Sequence, residues 1–249
     1  EIAQQRSTAL GICNALQEMV DGNRFALQGT GRSDLQRHVV QLCDLMAPSV
    51  DIFSATDVCR LMDVLVDLSW WDSAFRNHFT DSGCSLMNAV RRRALTPGFF
   101  SGLYGRQGSR LIWAFGKIGI AEEELIEEVG KQMTKPSALQ FLSGKDISMT
   151  VWGLAKVRSS NHALLGALAE HIVSSKMTDE FSAQSISNTA WAYATLGIQN
   201  AELMAAIAER VMQDGFLLTF KAQEVANTAW AYATLAFKNE ALMAALVQR

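Results

Sequence analysis

Three prolines and 17 glycines in 249 residues leave no room for a collagen-like or linker-like composition. Nowhere does an uninterrupted apolar run approach the roughly 18–20 residues that a membrane-spanning helix requires, so a soluble chain without a membrane span is expected. Cysteine is sparse as well. Cys13, Cys43, Cys59 and Cys84 lie far apart with no Cys-x-x-Cys pair. That spacing fits neither a zinc site nor a dense disulfide scaffold, and buried, reduced thiols are expected instead. A dominant charge sign is missing too. Against 25 acidic side chains stand 22 basic ones, a net −3, too mild for a protein whose whole surface grips nucleic acid.

The signatures of catalysis are also absent. Each Gly-Lys pair (Gly116-Lys117, Gly130-Lys131, Gly144-Lys145) lacks the hydroxyl residue that would complete a phosphate-binding loop. No Gly-x-Ser-x-Gly elbow occurs. His38, His78, His162 and His171 share no ligand-like spacing, so no metal, no cofactor and no enzyme class is expected. Gly29-Thr30-Gly31 precedes no strand–helix unit and is expected to be a loop. Gly105-Arg106-Gln107-Gly108 matches the Gly-x-x-Gly of KH modules, yet it stands where a helix should start and has no flanking strands.

What the chain does have is apolar material, 49% of its residues against 19% charged, enough to bury a sizeable core and to exclude disorder for most of its length. It also has a ruler. Trp113, Trp152, Trp191 and Trp230 are each 39 residues apart. Around the last two, residues 181–196 read FSAQSISNTAWAYATL and residues 220–235 read FKAQEVANTAWAYATL. Residues 142–157 (LSGKDISMTVWGLAKV) and 103–118 (LYGRQGSRLIWAFGKI) keep the register more loosely. Residues 53–68 (FSATDVCRLMDVLVDL) open like a further copy, with Asp63 where Trp would stand. Because 50 residues separate Asp63 from Trp113, an insertion is expected within residues 80–100. The first 50 residues hold no recognisable copy. Glu rather than Met stands first and Arg249 ends what reads as an unfinished helix, so a fragment or processed form is expected, from which nothing follows about targeting.

Each copy reads as two helices. Ile186, Ala190, Tyr193 and Ala194 recur at helical spacing, and Gly197 suits a left-handed helix end. Asn200 then caps a second helix with Glu202 in its first turn and Leu203, Ile207 and Val211 as its apolar stripe. Asn239, Glu240, Leu242 and Leu246 repeat that pattern. No alternating Val/Ile run suggests a strand. The expected fold is therefore all-α, an α-solenoid of two-helix repeats with a 39-residue period. Residues 1–100 would form a degenerate helical N-terminal region with one candidate repeat at 53–90, and residues 101–249 an array of about four units, the last truncated. In such an array each Trp, like Tyr193 and Tyr232, is expected in the core, the indole wedged between its own helix pair and the adjoining one.

The segments QSISNTAWAYATLG and QEVANTAWAYATL resemble the octotricopeptide repeat and the related heptatricopeptide repeat of RAP-domain and FAST-kinase-like proteins. The shared core, Gln-x-x-x-Asn-Thr-x-Trp-Ala-x-Ala, is matched by Gln184, Asn188, Thr189, Trp191, Ala192 and Ala194. It recurs at Gln223, Asn227, Thr228, Trp230, Ala231 and Ala233. Lys145 and Met149 depart from it in one earlier copy, Arg106 and Arg110 in the other, and no RAP domain is visible. The resemblance implies an RNA-binding α-solenoid of the mitochondrion, or alternatively of the plastid. It would act in transcript processing, stability, translation or ribosome assembly, with single-stranded or structured RNA (ribosomal RNA included) and other proteins of a ribonucleoprotein complex as partners.

In helical-repeat readers one helix per unit lines a concave groove, and two or three side chains meet about one base per repeat. Here the first helices carry four variable columns. They are Arg106, Lys145, Gln184, Gln223; then Gln107, Asp146, Ser185, Glu224; then Arg110, Met149, Asn188, Asn227; and Lys117, Lys156, Thr195, Thr234. The first two columns with Arg110, Lys117 and Lys156 are the candidate RNA-binding residues, whereas Asn188 and Asn227, as part of the repeated frame, are expected to satisfy backbone groups. Charge is unevenly spread. Residues 1–90 hold 6 basic and 11 acidic side chains, residues 91–160 hold 11 and 6, and residues 161–249 hold 5 and 8. Phosphate contacts are thus expected around Arg91, Arg92, Arg93, Arg106, Arg110, Lys117, Lys145, Lys156 and Arg158, with the acidic run from Glu122 to Glu128 on an outer face. The two most regular repeats are the least basic, which keeps a second reading open: a protein-binding α-solenoid scaffold within a large organellar complex.

Overall fold

A computed structural model describes residues 1–23, 30–159 and 161–249. Among the described residues every regular element is helical and none is a strand. The chain separates into two compact units, one comprising Glu1–Leu103 with Lys117–Ile120, the other Tyr104–Gly116 with Ala121–Arg249.

The first unit holds α1 (Ile2–Asn23), α2 (Thr30–Met46), α3 (Ala55–Trp71), α4 (Ser73–Thr80) and α5 (Ser85–Ala94). Thr30 and Gly31 open α2 rather than forming the expected loop, while Gly29 lies outside the described residues. α3 begins with a capping box: Ser54 accepts the Asp57 N–H, and the Asp57 carboxylate accepts the Ser54 N–H. That carboxylate also takes Arg6 Nη2 at 2.6 Å, which ties α1 to α3. All four cysteines are buried and unbridged. Burial pushes Cys13 up to about 11 and Cys43 up to about 12, so both remain neutral thiols at pH 7.

Asp72 is the second polar junction of this unit. It caps α4 through the Ala74 N–H and accepts Arg32 Nε at 2.8 Å and Gln36 Nε2 at 2.6 Å, both from α2. The Arg32 hydrogen bond, the largest influence, holds its carboxyl below the usual carboxylate range despite burial. A depressed folded pKa gives stability that is complete above the unfolded value of about 3.9 and is lost as pH falls through the folded one. Arg32→Ala should therefore lower the urea midpoint at pH 7. The gap between wild type and variant should narrow once the pH drops below about 4, as urea titrations at the two pH values would record.

The second unit is two rows of helices. One row holds α6 (Gly105–Ile118, up to Gly116), α9 (Gly144–Val157), α11 (Ala183–Thr195) and α13 (Ala222–Thr234). The other holds α7 (Glu123–Met133), α10 (His162–Ser174), α12 (Ala201–Met212) and α14 (Glu240–Gln248), and a single turn, α8 (Pro136–Leu139), follows α7. α9 packs on α11 and α11 on α13; in the other row α7 meets α10, α10 meets α12, and α12 meets α14. The helix starts have local causes. Asn161, Asn200 and Asn239 each cap a second-row helix, their side-chain oxygens accepting the N–H groups of Leu164, Leu203 and Leu242 at 3.0, 2.9 and 3.0 Å. A cap of this kind contributes about 1 kcal/mol. First-row helices end on a left-handed residue: Arg158, Gly197 and Ala236 have φ of 55°, 68° and 57°. The N–H one residue further on then bonds back to the carbonyls of Leu154, Tyr193 and Tyr232.

The core between the rows is built on Phe115, Leu154, Tyr193 and Tyr232, all buried. Both phenols need a partner there and find one in the opposite row: the Tyr193 hydroxyl donates to the Leu165 carbonyl at 2.6 Å, the Tyr232 hydroxyl to that of Met204. Burial raises both phenols well above the ordinary tyrosine value. Between α6 and α9 the closest approach is at a glycine, and alanines hold the same register on α11 and α13. Gly153, Ala192 and Ala231 are buried, and a Cβ on Gly153 would sit 2.5 Å from the Ile112 carbonyl oxygen of α6. The indoles do not belong to this core.

Two substitutions should move stability in opposite directions. Gly153→Ala should lower it by about 1–3 kcal/mol, because the clash is with backbone and outweighs the helix-propensity gain. Ala236→Gly should raise it by about 0.5–1 kcal/mol, because the left-handed strain of an L-residue is removed at a smaller entropic cost. Chemical denaturation of the two variants measures both.

Candidate functional site

Each first-row helix leaves one narrow face outside the core. On α11 it carries Gln184, Asn188, Trp191 and Thr195, the first exposed and the others half-buried, while the positions among them are buried. Steps of four, three and four residues keep these side chains within about 60° of one another at 100° per residue. α9 presents Lys145, Met149, Trp152 and Lys156 in the same way, and α13 presents Gln223, Asn227, Trp230 and Thr234. α6 presents Arg106, Arg110 and Trp113; Lys117, one turn on and exposed, falls in the first unit.

The expectation of Trp in the core is therefore corrected. Trp113, Trp152 and Trp191 are half-buried and Trp230 is 46% exposed. The space an indole would have filled between helices is closed by the small residues next to it, and the core positions are taken by the aromatic or leucine two residues on. Tyr193 and Tyr232 are core residues as expected. A half-buried indole keeps a rigid seat and an open edge or face, as a stacking platform requires.

Polar groups flank the indoles. Arg106 is 74% exposed, with Nε 3.7 Å from Asp146 Oδ2. Lys156 Nζ stands 5.7 Å from the centre of the Trp152 ring, in cation–π range. The carboxamides of Gln184, Asn188, Gln223 and Asn227 make no hydrogen bond to any described residue. The expected structural duty of Asn188 and Asn227 is thus not met, and two half-buried amides face outward with their hydrogen-bonding capacity unused.

The column beside them is spent on helix starts. Gln107 Oε1 accepts the Tyr104 N–H at 3.2 Å. Asp146 Oδ2 accepts the Ser143 N–H at 2.9 Å and the Ser143 hydroxyl at 2.6 Å. The Ser185 N–H donates to Ser182 Oγ at 3.1 Å, with Ser148 Oγ 3.3 Å from Ser185 Oγ, and Glu224 accepts the Lys221 N–H. These four residues occupy the third helical position, where a side chain closes the first turn. The Ser-x-x-Asp spacing from Ser143 to Asp146 carries that signal in the sequence.

The remaining basic residues divide. Arg92 pairs with Asp51 at 3.1 Å, and Arg93 donates to the Phe53 carbonyl at 2.9 Å while lying 4.8 Å from the centre of the Phe99 ring, both inside the first unit. Arg158 is exposed at the end of α9. Gly105 and Gly108, the KH-like pair, are packing residues: a Cβ on either would come within 2.7 Å of Ala138 or Met133. Among the described residues no group of three or more His, Cys, Asp or Glu is placed to hold a metal ion, and no helix is long and apolar enough to cross a membrane.

Taken along α6, α9, α11 and α13, the face passes from indole with cations to indole with amides. Cations suit phosphates, indoles suit base faces, and amides suit base edges. No curated protein sequence matches the chain. A family model described as RNA-editing substrate-binding complex 6 protein does match it, over residues 109–249. That span is more than half of the chain and runs through all four helices of the face, and the protein accordingly belongs to the family of RNA-editing substrate-binding complex 6 proteins.

Proposed function

We propose that this chain is an RNA-binding component of an RNA-editing substrate-binding complex, and that single-stranded RNA lies on the indole-bearing face of α6, α9, α11 and α13. The observation that carries this reading is the row of half-exposed tryptophans with Lys145 and Lys156 beside them, on the part of the chain that matches the family, and with Arg106 just ahead of that part. A fold that needed the rings only for stability would bury them. In this reading the second unit is an α-solenoid of 39-residue repeats. Its support is the return, at that interval, of the asparagine caps, the phenol-to-carbonyl bonds and the left-handed helix ends. The octotricopeptide-like motif, a mitochondrial location and a role in binding rather than catalysis belong to the same proposal. The family's description favours an editing complex over the ribosome.

Fluorescence anisotropy of the whole chain with an unstructured single-stranded RNA, over a range of salt concentrations, tests it. Affinity should fall with salt, and Lys145→Ala and Lys156→Ala should each weaken binding and flatten the logarithmic salt slope by roughly 0.7. Trp191→Ala should weaken binding roughly tenfold or more, in keeping with about 1–3 kcal/mol per stacked base, with Trp191→Phe retaining part of it. A thermal melt of each variant separates lost contacts from lost folding. If the chain ignores RNA at every salt concentration, a protein-binding scaffold replaces this proposal.

A further inference from the structure

We infer that α11 and α13 bind two successive nucleotides of the same base. This rests on the RNA-binding reading above and adds a sequence rule to it. The outward side chains of the two helices match one for one: Gln184 with Gln223, Asn188 with Asn227, Trp191 with Trp230. Where the helices differ, at Ser185 and Glu224, Ile186 and Val225, or Ser187 and Ala226, the α11 side chains are all buried. On α13 the corresponding Glu224 and Val225 are half-buried and Ala226 is exposed, so the two helices differ beside the outward set while that set itself is the same twice over.

The backbone frames match as well. Both helices end on a left-handed residue and anchor their tyrosine hydroxyl to a second-row carbonyl. The same side chains on the same frame offer the same donors and acceptors, in the same order, beside the same indole. Asn188 and Asn227 decide the matter, because each is half-buried on the outward face and its carboxamide makes no hydrogen bond to a described residue, which leaves a donor and an acceptor for a base edge. A carboxamide pairs with a base edge through one donor and one acceptor, and each base offers its own geometry for that pairing. Whichever base suits Asn188 against Trp191 must suit Asn227 against Trp230. α6 and α9, with Arg110 and Met149 at that position, impose no such identity.

Selection from a random pool of unstructured single-stranded RNA on the whole chain, with wild type, Asn188→Ala and Asn227→Ala in parallel, tests the rule. The retained sequences should share a step of two identical bases. Each variant should erase the preference at one of those two adjacent positions by a similar factor, while its melting temperature stays at the wild-type value. Different preferred bases at the two positions, or a motif untouched by both variants, overturns the inference. RNA retained without any shared step also overturns it while leaving the RNA-binding reading in place. A pool not retained at all removes both.

Discussion

The bond from the Tyr193 hydroxyl to the Leu165 carbonyl, with its counterpart from Tyr232 to Met204, sets the rotation of α11 and α13 about their own axes. A phenol buried among apolar side chains has to donate somewhere, and the acceptor it meets is a backbone carbonyl of the opposite row. With that side of each helix pinned inward, the side two residues back has to lie away from the rows. The tryptophan stands there. On α11 and α13 its half-exposed state is thus a consequence of tyrosine chemistry, while on α6 and α9 the buried Phe115 and Leu154 hold the inward place, and Gly153 leaves no room for a side chain between α6 and α9.

Much of this was legible in the residues. The helical class, the asparagine caps, the αL end at Gly197 and the buried Leu203–Ile207–Val211 stripe follow from local propensity and periodicity, and all are present. The orientation of tryptophan was the failure, and its cause is instructive. Size and apolarity put indoles in cores on average, but the spacing from Gln184 through Asn188 and Trp191 to Thr195 already placed the ring on the polar side of the helix. The period should have outweighed the residue type. Gln107, Asp146, Ser185 and Glu224 show a related competition, since the third residue of a helix is engaged by its own first turn, a duty that the column reading did not take into account.

Charge tells a complementary story. The two most regular helices, α11 and α13, carry amides on the outward face, and the two less regular ones carry arginine and lysine. Attraction to phosphate is indifferent to base and acts at a distance, whereas an amide acts only in contact and depends on what it meets. In the proposed reading, an array with cations at one end and amides at the other would divide holding from reading. The mildly acidic net charge of the chain is compatible with that division because the positive groups are gathered rather than scattered.

The separation between neighbouring columns has an evolutionary corollary. Side chains such as Gln184 and Asn188 take no part in caps, cores or helix crossings, so a mutation there changes what the surface offers while the folded state keeps its stability. One residue along, at Asp146 or Glu224, the same mutation would unfasten a helix end. Selection can therefore rewrite the vocabulary of this surface one letter at a time without ever endangering the page it is written on.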